Sequence, residues 1–375
     1  MKISNFIECI NALDCNFFTG VPDSQLSSLC DFLIDQYGIS DNHIIAANEG
    51  NCVALAAGYH LSTGKIPAVY LQNSGLGNIT NPVASLLNDK VYGIPSIFIV
   101  GWRGEPGVPD EPQHIFQGEI TLPFLKLLDI STQIIDESTM VEELYSNLPF
   151  YQTQLNNGKS IAFVVKKKGL TYDKKVQYSN HNTMSREDII QRITSYSADN
   201  AIVCTTGKAS RELYEIRDKQ IQPHKYDFLT VGSMGHCSSI ALGIAISKPN
   251  SKIWCIDGDG AALMHMGAMA LIGSKAPSNL IHIVINNEAH ETVGGMPTVG
   301  NSINLVQIAL GCGYPLAYSV KDMEELDLVL TNAKSINQLI FIEIKAALGS
   351  RSDLGRPKTS ALDNKINFMN FLSEV

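Results

Sequence analysis

The chain has 375 residues, enough for two domains of roughly 100–200 residues each. Apolar residues make up 45% and charged residues 17%, which fits a compact globular protein with ample core. The formal net charge of −9 argues against general binding to nucleic acid or anionic membranes, although a local basic cluster can still hold a small anion. Glu8 and Asp14 interrupt the first twenty residues, so no secretory leader is expected, and no apolar run approaches the roughly 18 residues of a membrane helix. Eight cysteines are scattered without a CxxC pair, mostly in apolar stretches; buried thiols in a reducing cytoplasm are expected.

Residues 1–168 alternate short apolar runs with helical patterns. Strands are expected at Phe17–Val21, His43–Asn48, Ile66–Gln72, Ile94–Gly101, Thr132–Ile135 and Ser160–Lys166, and helices at Ser24–Gln36, Gly50–Ser62 and Val141–Tyr151. Such strands imply a parallel sheet covered by helices on both faces. Several strands end in polar loops. Gly20-Val21-Pro22-Asp23 follows the first, with Asp23 placed as a helix N-cap. Glu49 enters an Ala-rich helix directly after the second, where the helix dipole favours a carboxylate. Asn73-Ser74-Gly75-Leu76-Gly77-Asn78 closes the third. A long loop follows the fourth, running from Trp102-Arg103 to Asp110-Glu111-Pro112-Gln113-His114, and loops of that length in a compact domain are often functional. Arg103 could hold an anionic group with both arms of its guanidinium.

Residues 169–184 lose the periodicity, turn polar and read as a linker. Ser185-Arg186-Glu187-Asp188 opens a second α/β run over 185–375, with strands expected at Ala201–Thr205, Asp227–Val231, Lys252–Ile256, Leu280–Ile285, Leu316–Val320 and Leu339–Ile344. Here too the strand ends are distinctive. Thr205-Thr206-Gly207 and Gly232-Ser233-Met234-Gly235 are glycine turns. Gly260 of Gly258-Asp259-Gly260-Ala261 is separated by 25 residues, 261–285, from Asn286-Asn287 at the end of the next strand. Two hard oxygen ligands at strand ends suit Mg²⁺ bound to a diphosphate, and the glycines let backbone approach phosphate.

The glycine–aspartate turn with its paired asparagines resembles the cofactor motif of thiamine-diphosphate enzymes. That resemblance implies two thiamine-diphosphate-binding α/β domains, a pyrimidine-binding domain at 1–168 and a diphosphate-binding domain with a C-terminal tail at 185–375, without the middle domain many relatives insert. It implies that Glu49 bonds the ring nitrogen N1′ of the cofactor's pyrimidine. The Gly232 carbonyl would hold the 4′-amino group, Met234 would wedge the cofactor into its bent shape, and Thr206, Gly207, Ser233, Gly260 and Ala261 would line the cofactor. Asp259, the side chain of Asn287 and the main-chain oxygen of Ala289 are the implied Mg²⁺ ligands, although the sequence alone does not separate Asn286 from Asn287.

The strings Gly-Val-Pro-Asp, Gln-Asn-Ser-Gly-Leu-Gly-Asn and Gly-Trp-Arg-Gly-Glu-Pro-Gly, with the tail from Gly349 to Pro357, resemble the phosphonopyruvate decarboxylases almost along the whole chain. The sulfopyruvate decarboxylases are the nearest relatives. The implied reaction is decarboxylation of 3-phosphonopyruvate to phosphonoacetaldehyde and CO₂ in phosphonate biosynthesis. The alternatives are another 2-oxoacid, sulfopyruvate first, or a non-catalytic cofactor-binding subunit. Asp23 and His114 are the candidate proton donors; Asp23, Ser74, Arg103 and His290 are the candidate substrate contacts. Arg351 and Arg356 are further candidates for the phosphonate. Broader pyruvate-type decarboxylases carry a His-His pair and a carboxylate where Val293 stands, so the proton relay here must differ. The family also implies a homo-oligomer whose active sites are shared between subunits.

Overall fold

Short runs of β-branched and aromatic residues, apolar on both faces, can be buried only inside a sheet that is covered twice. The computed structural model describes residues 1–375 and divides into two units, Met1–Gln177 and Tyr178–Val375. In the first unit β1 (Phe17–Gly20), β2 (His43–Ile45), β3 (Pro67–Gln72), β4 (Ile97–Gly101), β5 (Ser131–Ile135) and β6 (Ile161–Val165) form one sheet in the order β2-β1-β3-β4-β6-β5. Every pairing in it is parallel. All five residues of β4 and of β6 are buried, as doubly covered strands require.

The second unit holds β7 (Ala201–Cys204), β8 (Asp227–Leu229), β9 (Ile253–Gly258), β10 (Leu280–Asn286), the two-residue strands β11 (Ala289–His290) and β12 (Met296–Pro297), β13 (Leu316–Val320) and β14 (Ile340–Lys345). Six of them form a parallel sheet in the order β13-β14-β10-β9-β7-β8, while β11 and β12 pair antiparallel. Period-two alternation sorts β9 between two cores: Trp254 and Ile256 join one, Ile253 and Cys255 the other. Strand order reverses beside β7 and β9, so their carboxyl ends frame the kind of crevice where open α/β sheets bind ligands.

The polar stretch 169–184 contains no helix or strand, in keeping with its composition, but it is tied down. In the first unit Thr171 bonds Met1, and Tyr172 and Lys174 bond Asp35. In the second, Asn180 and Asn182 donate to the Ala346 carbonyl at 2.9 and 3.1 Å. The C-terminal tail ends in a helix, Ala361–Glu374, which buries Phe368 and Phe371. Asn364 on that helix accepts from the Leu229 N–H and donates to the Asp227 carbonyl, fastening it to β8.

Arg217 and Asp227 form a doubly hydrogen-bonded pair at 2.9 and 2.8 Å, each side chain 1% exposed. Removing one partner strands a buried charge, so Arg217→Met is expected to cost about 3–5 kcal/mol in urea unfolding. Arg217→Met/Asp227→Leu, which removes both charges, should recover most of that loss.

Candidate functional site

Four adjacent strands of the first sheet, β2, β1, β3 and β4, deliver polar side chains at their carboxyl ends. After β2, Asn48 caps the helix Glu49–Thr63 by accepting from the Gly50 N–H at 2.7 Å. Glu49, at the first position of that helix, is buried without a cationic partner. Its Oε2 accepts from Asn78 Nδ2 at 2.7 Å. Burial pushes its pKa up, and the Asn78 bond only partly opposes this. A Cβ at Gly75 would stand 2.4 Å from Glu49 Oε1, so the carboxyl occupies the space that any larger residue would need.

Asp23, after β1, is fully buried. One oxygen accepts from the Gln25 N–H at 3.1 Å, in keeping with its N-cap position, and the other from Gln72 Nε2 at 2.5 Å. Gln72 in turn accepts from Ser74 Oγ at 2.7 Å. Burial raises the pKa of Asp23 against the pull of Gln72 and Arg103. Arg103 follows β4 and lies close by, but two of its donors grip Asp110 at 2.8 and 2.5 Å and a third reaches Ser24 Oγ at 3.1 Å. Burial works against ionisation of Asp110, yet Arg103 and the N–H groups of Glu111 and Gly104 hold its carboxyl well below the usual range. Asn73 clamps this loop, donating to the Arg103 carbonyl and accepting from its N–H. His114, on the helix Pro112–Leu127, is buried; its Nδ1 has no hydrogen-bond partner, and burial followed by the Arg103 charge lowers its pKa.

In the second unit the turns after β7, β8, β9 and β10 carry the candidates. Thr206 Oγ1 bonds the Val231 carbonyl at 2.9 Å, joining the first two turns. Met234 lies between Ser233 and Gly235, which both have left-handed backbones at φ 55° and 85°. The Met234 methyl and the His290 ring flank Gly260: a Cβ there would lie 3.4 Å from one and 3.1 Å from the other. His290 is buried, in contrast to an exposed loop histidine, and burial pushes its pKa down to about 4. Asp259 is also buried, with one oxygen accepting from Thr298 Oγ1 at 2.5 Å, and burial pushes its pKa up to about 7.

The two asparagines differ in their bonding. Asn286 donates to the Gly300 carbonyl and to Glu343, and accepts from the Glu288 N–H. Asn287 donates to Glu291 at 2.8 Å, while its oxygen meets only the Ala289 N–H at a long 3.2 Å. Glu288, between Asn287 and Ala289, has φ 65°, a strained value for this residue type. Glu291 is bound by Arg186 and Lys208; burial alone would raise its pKa, but Arg186 turns the shift downward.

No three His, Cys, Asp or Glu side chains cluster into a protein-only metal site. The donor set offered by Asp259, the Asn287 oxygen and the Ala289 carbonyl is all hard oxygen and suits Mg²⁺ completed by phosphate oxygens and water. The carboxyl of Asp259 has no cationic partner, and that of Glu49 has one amide donor, so each is left short of a partner in charge. Arg351 belongs elsewhere. Its guanidinium is spent on Glu187, Glu215 and Asp353, so it fastens the tail to the helices Arg186–Ser197 and Lys208–Lys219, and Arg356 is exposed. Sequence reasoning gave no individual role to Asn78, Gly75, Gln72, Asp110, Thr298 or Glu291, which bear on the candidate residues through tertiary contacts.

Residues 4–124 match the family described as thiamine pyrophosphate enzyme, N-terminal TPP binding domain, and residues 205–344 its C-terminal TPP binding domain. The phosphonopyruvate decarboxylase of Streptomyces viridochromogenes is 30% identical over 388 residues, covering 99% of this chain and 94% of that protein. That of Streptomyces hygroscopicus is 29% identical over 392 residues, covering 100% and 94%. A sulfopyruvate decarboxylase of Methanosarcina acetivorans is 28% identical over 336 residues, covering 82% of each.

The packing of Gly75 against Glu49 gives a stability test. Gly75→Ala is expected to cost about 1–3 kcal/mol in urea unfolding, because it overpacks the carboxyl. Gly77→Ala, in the same segment but with nothing within 4 Å, should instead gain roughly 0.5–1 kcal/mol.

Proposed function

The chain belongs to the phosphonopyruvate decarboxylase family of thiamine pyrophosphate enzymes, and from that premise we propose that its substrate is 3-phosphonopyruvate, converted with Mg²⁺ to phosphonoacetaldehyde and CO₂ as a step in phosphonate biosynthesis. It is a thiamine-diphosphate-dependent carboxy-lyase of the phosphonopyruvate and sulfopyruvate type. The observation that carries the narrower substrate is the match of two phosphonopyruvate decarboxylases to 99% and 100% of the chain. Sulfopyruvate is the second reading, favoured by the relative that matches 82% of it.

Bound thiamine diphosphate supplies a carbon nucleophile and the electron sink for loss of CO₂. Glu49 would hold the pyrimidine nitrogen N1′; its raised pKa makes it a carboxyl able to share a proton there, which a purely binding subunit has no use for. The Gly232 carbonyl would orient the 4′-amino group and Met234 the bend of the cofactor. Thr206, Gly207, Ser233, Gly260 and Ala261 would line the diphosphate side, with Asp259, Asn287 and the Ala289 carbonyl toward Mg²⁺.

Of the two candidate proton donors, Asp23 fits better. A buried carboxyl with a raised pKa keeps its proton to higher pH, whereas burial makes His114 give its proton up at lower pH. Ser74, Arg103 and His290 would face substrate. Arg103 would supply charge to the phosphonate from its place against Asp110, after partial exchange of that partner. We also assign the working form to a homo-oligomer in which the Glu49 half-site of one copy meets the Asp259 half-site of another. Exposed Leu55 and Leu61, on the helix that Glu49 begins, support an apolar contact there.

The test is CO₂ release from phosphonopyruvate, sulfopyruvate and pyruvate, each with thiamine diphosphate and Mg²⁺. Phosphonopyruvate should give the highest kcat/KM, and Glu49→Gln should lower turnover on it by roughly 10²-fold or more. A preference for sulfopyruvate would overturn the substrate, and full activity in Glu49→Gln would overturn the role of that residue.

A further inference from the structure

We propose that Glu291 is a positioning residue that decides which end of the Asn287 amide faces the divalent cation; the inference rests on the reading of Asn287 as a cation ligand. An asparagine amide has two ends of nearly equal shape and opposite polarity, and only its oxygen can bind Mg²⁺. Nothing within Asn287 itself selects the orientation.

The neighbouring side chains do. Glu291 Oε2 accepts from Asn287 Nδ2 at 2.8 Å and from Arg186 Nη1 at 2.6 Å, and Glu291 Oε1 accepts from Lys208 Nζ at 3.0 Å. A carboxylate flanked by an arginine and a lysine is an acceptor on both oxygens, so only the amide NH₂ can face it. The Asn287 oxygen is thereby turned away, toward the side where it meets nothing stronger than the Ala289 N–H at 3.2 Å.

Arg186 cannot drift from this task, because its other two donors grip Glu212 at 2.6 and 2.7 Å. The side chains of Arg186, Glu212 and Glu291 are 8%, 2% and 9% exposed. The chain of contacts runs from the first residue of the helix Arg186–Ser197, through the helix Lys208–Lys219, to the turn after β11. Partners of this kind around metal ligands commonly change metal affinity 10–100-fold when lost.

Glutamine at 291 could keep an oxygen where Oε2 stands and still accept from both Asn287 and Arg186, so methionine is the informative replacement: it removes the acceptor, and nothing then holds the Asn287 NH₂ away from the cation. Aspartate at 287 has an oxygen at both ends and needs no such selection. A residue that merely packs the turn has no such pairwise dependence.

The experiment titrates Mg²⁺ into the full chain at saturating thiamine diphosphate and reads the rise in melting temperature. Glu291→Met is expected to need about 10–100-fold more Mg²⁺ for half of the rise. Asn287→Asp/Glu291→Met should recover most of the lost affinity. If Glu291→Met fails to fold, Arg186→Lys, which keeps the charge but cannot span both glutamates, should show the same weakening. Glu291→Met or Arg186→Lys titrating like the natural chain, or a double variant no better than Glu291→Met, overturns the assignment to Glu291 alone. A natural chain with no Mg²⁺-dependent rise overturns this assignment together with the Mg²⁺ reading beneath it.

Discussion

A buried carboxyl without a cation is the constraint on which the candidate site depends. Burying an ionised group unpaired costs several kcal/mol or shifts its pKa instead. Other acids avoid that: Asp227 pairs with Arg217, and Glu212 and the largely buried Glu291 share Arg186. Glu49, Asp23 and Asp259 have no ion-pair partner, and burial pushes all three upward. All three stand just beyond the carboxyl ends of parallel strands. Such groups can be satisfied by a proton, a ring nitrogen or a metal ion, and the roles proposed for them supply one each.

The sheets make this arrangement tolerable. Strands buried on both faces fix the strand ends with little freedom, so a turn can hold a costly group without relaxing away from it. Space is controlled as tightly as charge. A Cβ at Gly101 would stand 2.0 Å from Asp23 Oδ2, and one at Gly75 meets Glu49 in the same way. The glycines of these two loops therefore serve close approach to acids as much as turning the chain.

The alternation of apolar strands and helices was legible in the sequence, because burial on both faces leaves continuous runs such as Ile281–Ile285 in β10. Glu49, Asp259 and the asparagine pair were legible because they sit directly at the ends of those runs. What distinguishes Asn286 from Asn287 was not, since it depends on Gly300, Glu343 and Glu291, none of which is adjacent in sequence to either asparagine. The same holds for Asn78, which reaches Glu49 across 29 positions, and for the burial of His290 behind a two-residue hairpin too short to show a period. Arg103 and Arg351 looked alike as free cations. Their difference lies in the carboxylates the fold brings to each, Asp110 alone to the first and Glu187, Glu215 and Asp353 to the second.

If Glu49 is held for a ligand rather than for the fold, its replacement should help the empty chain and harm the loaded one. Burial raises its folded pKa above the ordinary glutamate value, so its contribution to stability is lost as pH rises through the folded pKa. The decisive measurement is the melting temperature of the natural chain and of Glu49→Gln at pH 8, first alone and then with saturating thiamine diphosphate and Mg²⁺. The burial of Glu49 predicts that Glu49→Gln melts higher when empty, by a margin that shrinks toward pH 5, and gains less on loading, so that the order narrows or inverts. An empty Glu49→Gln chain that melts lower at pH 8, or one that gains as much on loading as the natural chain, would contradict it.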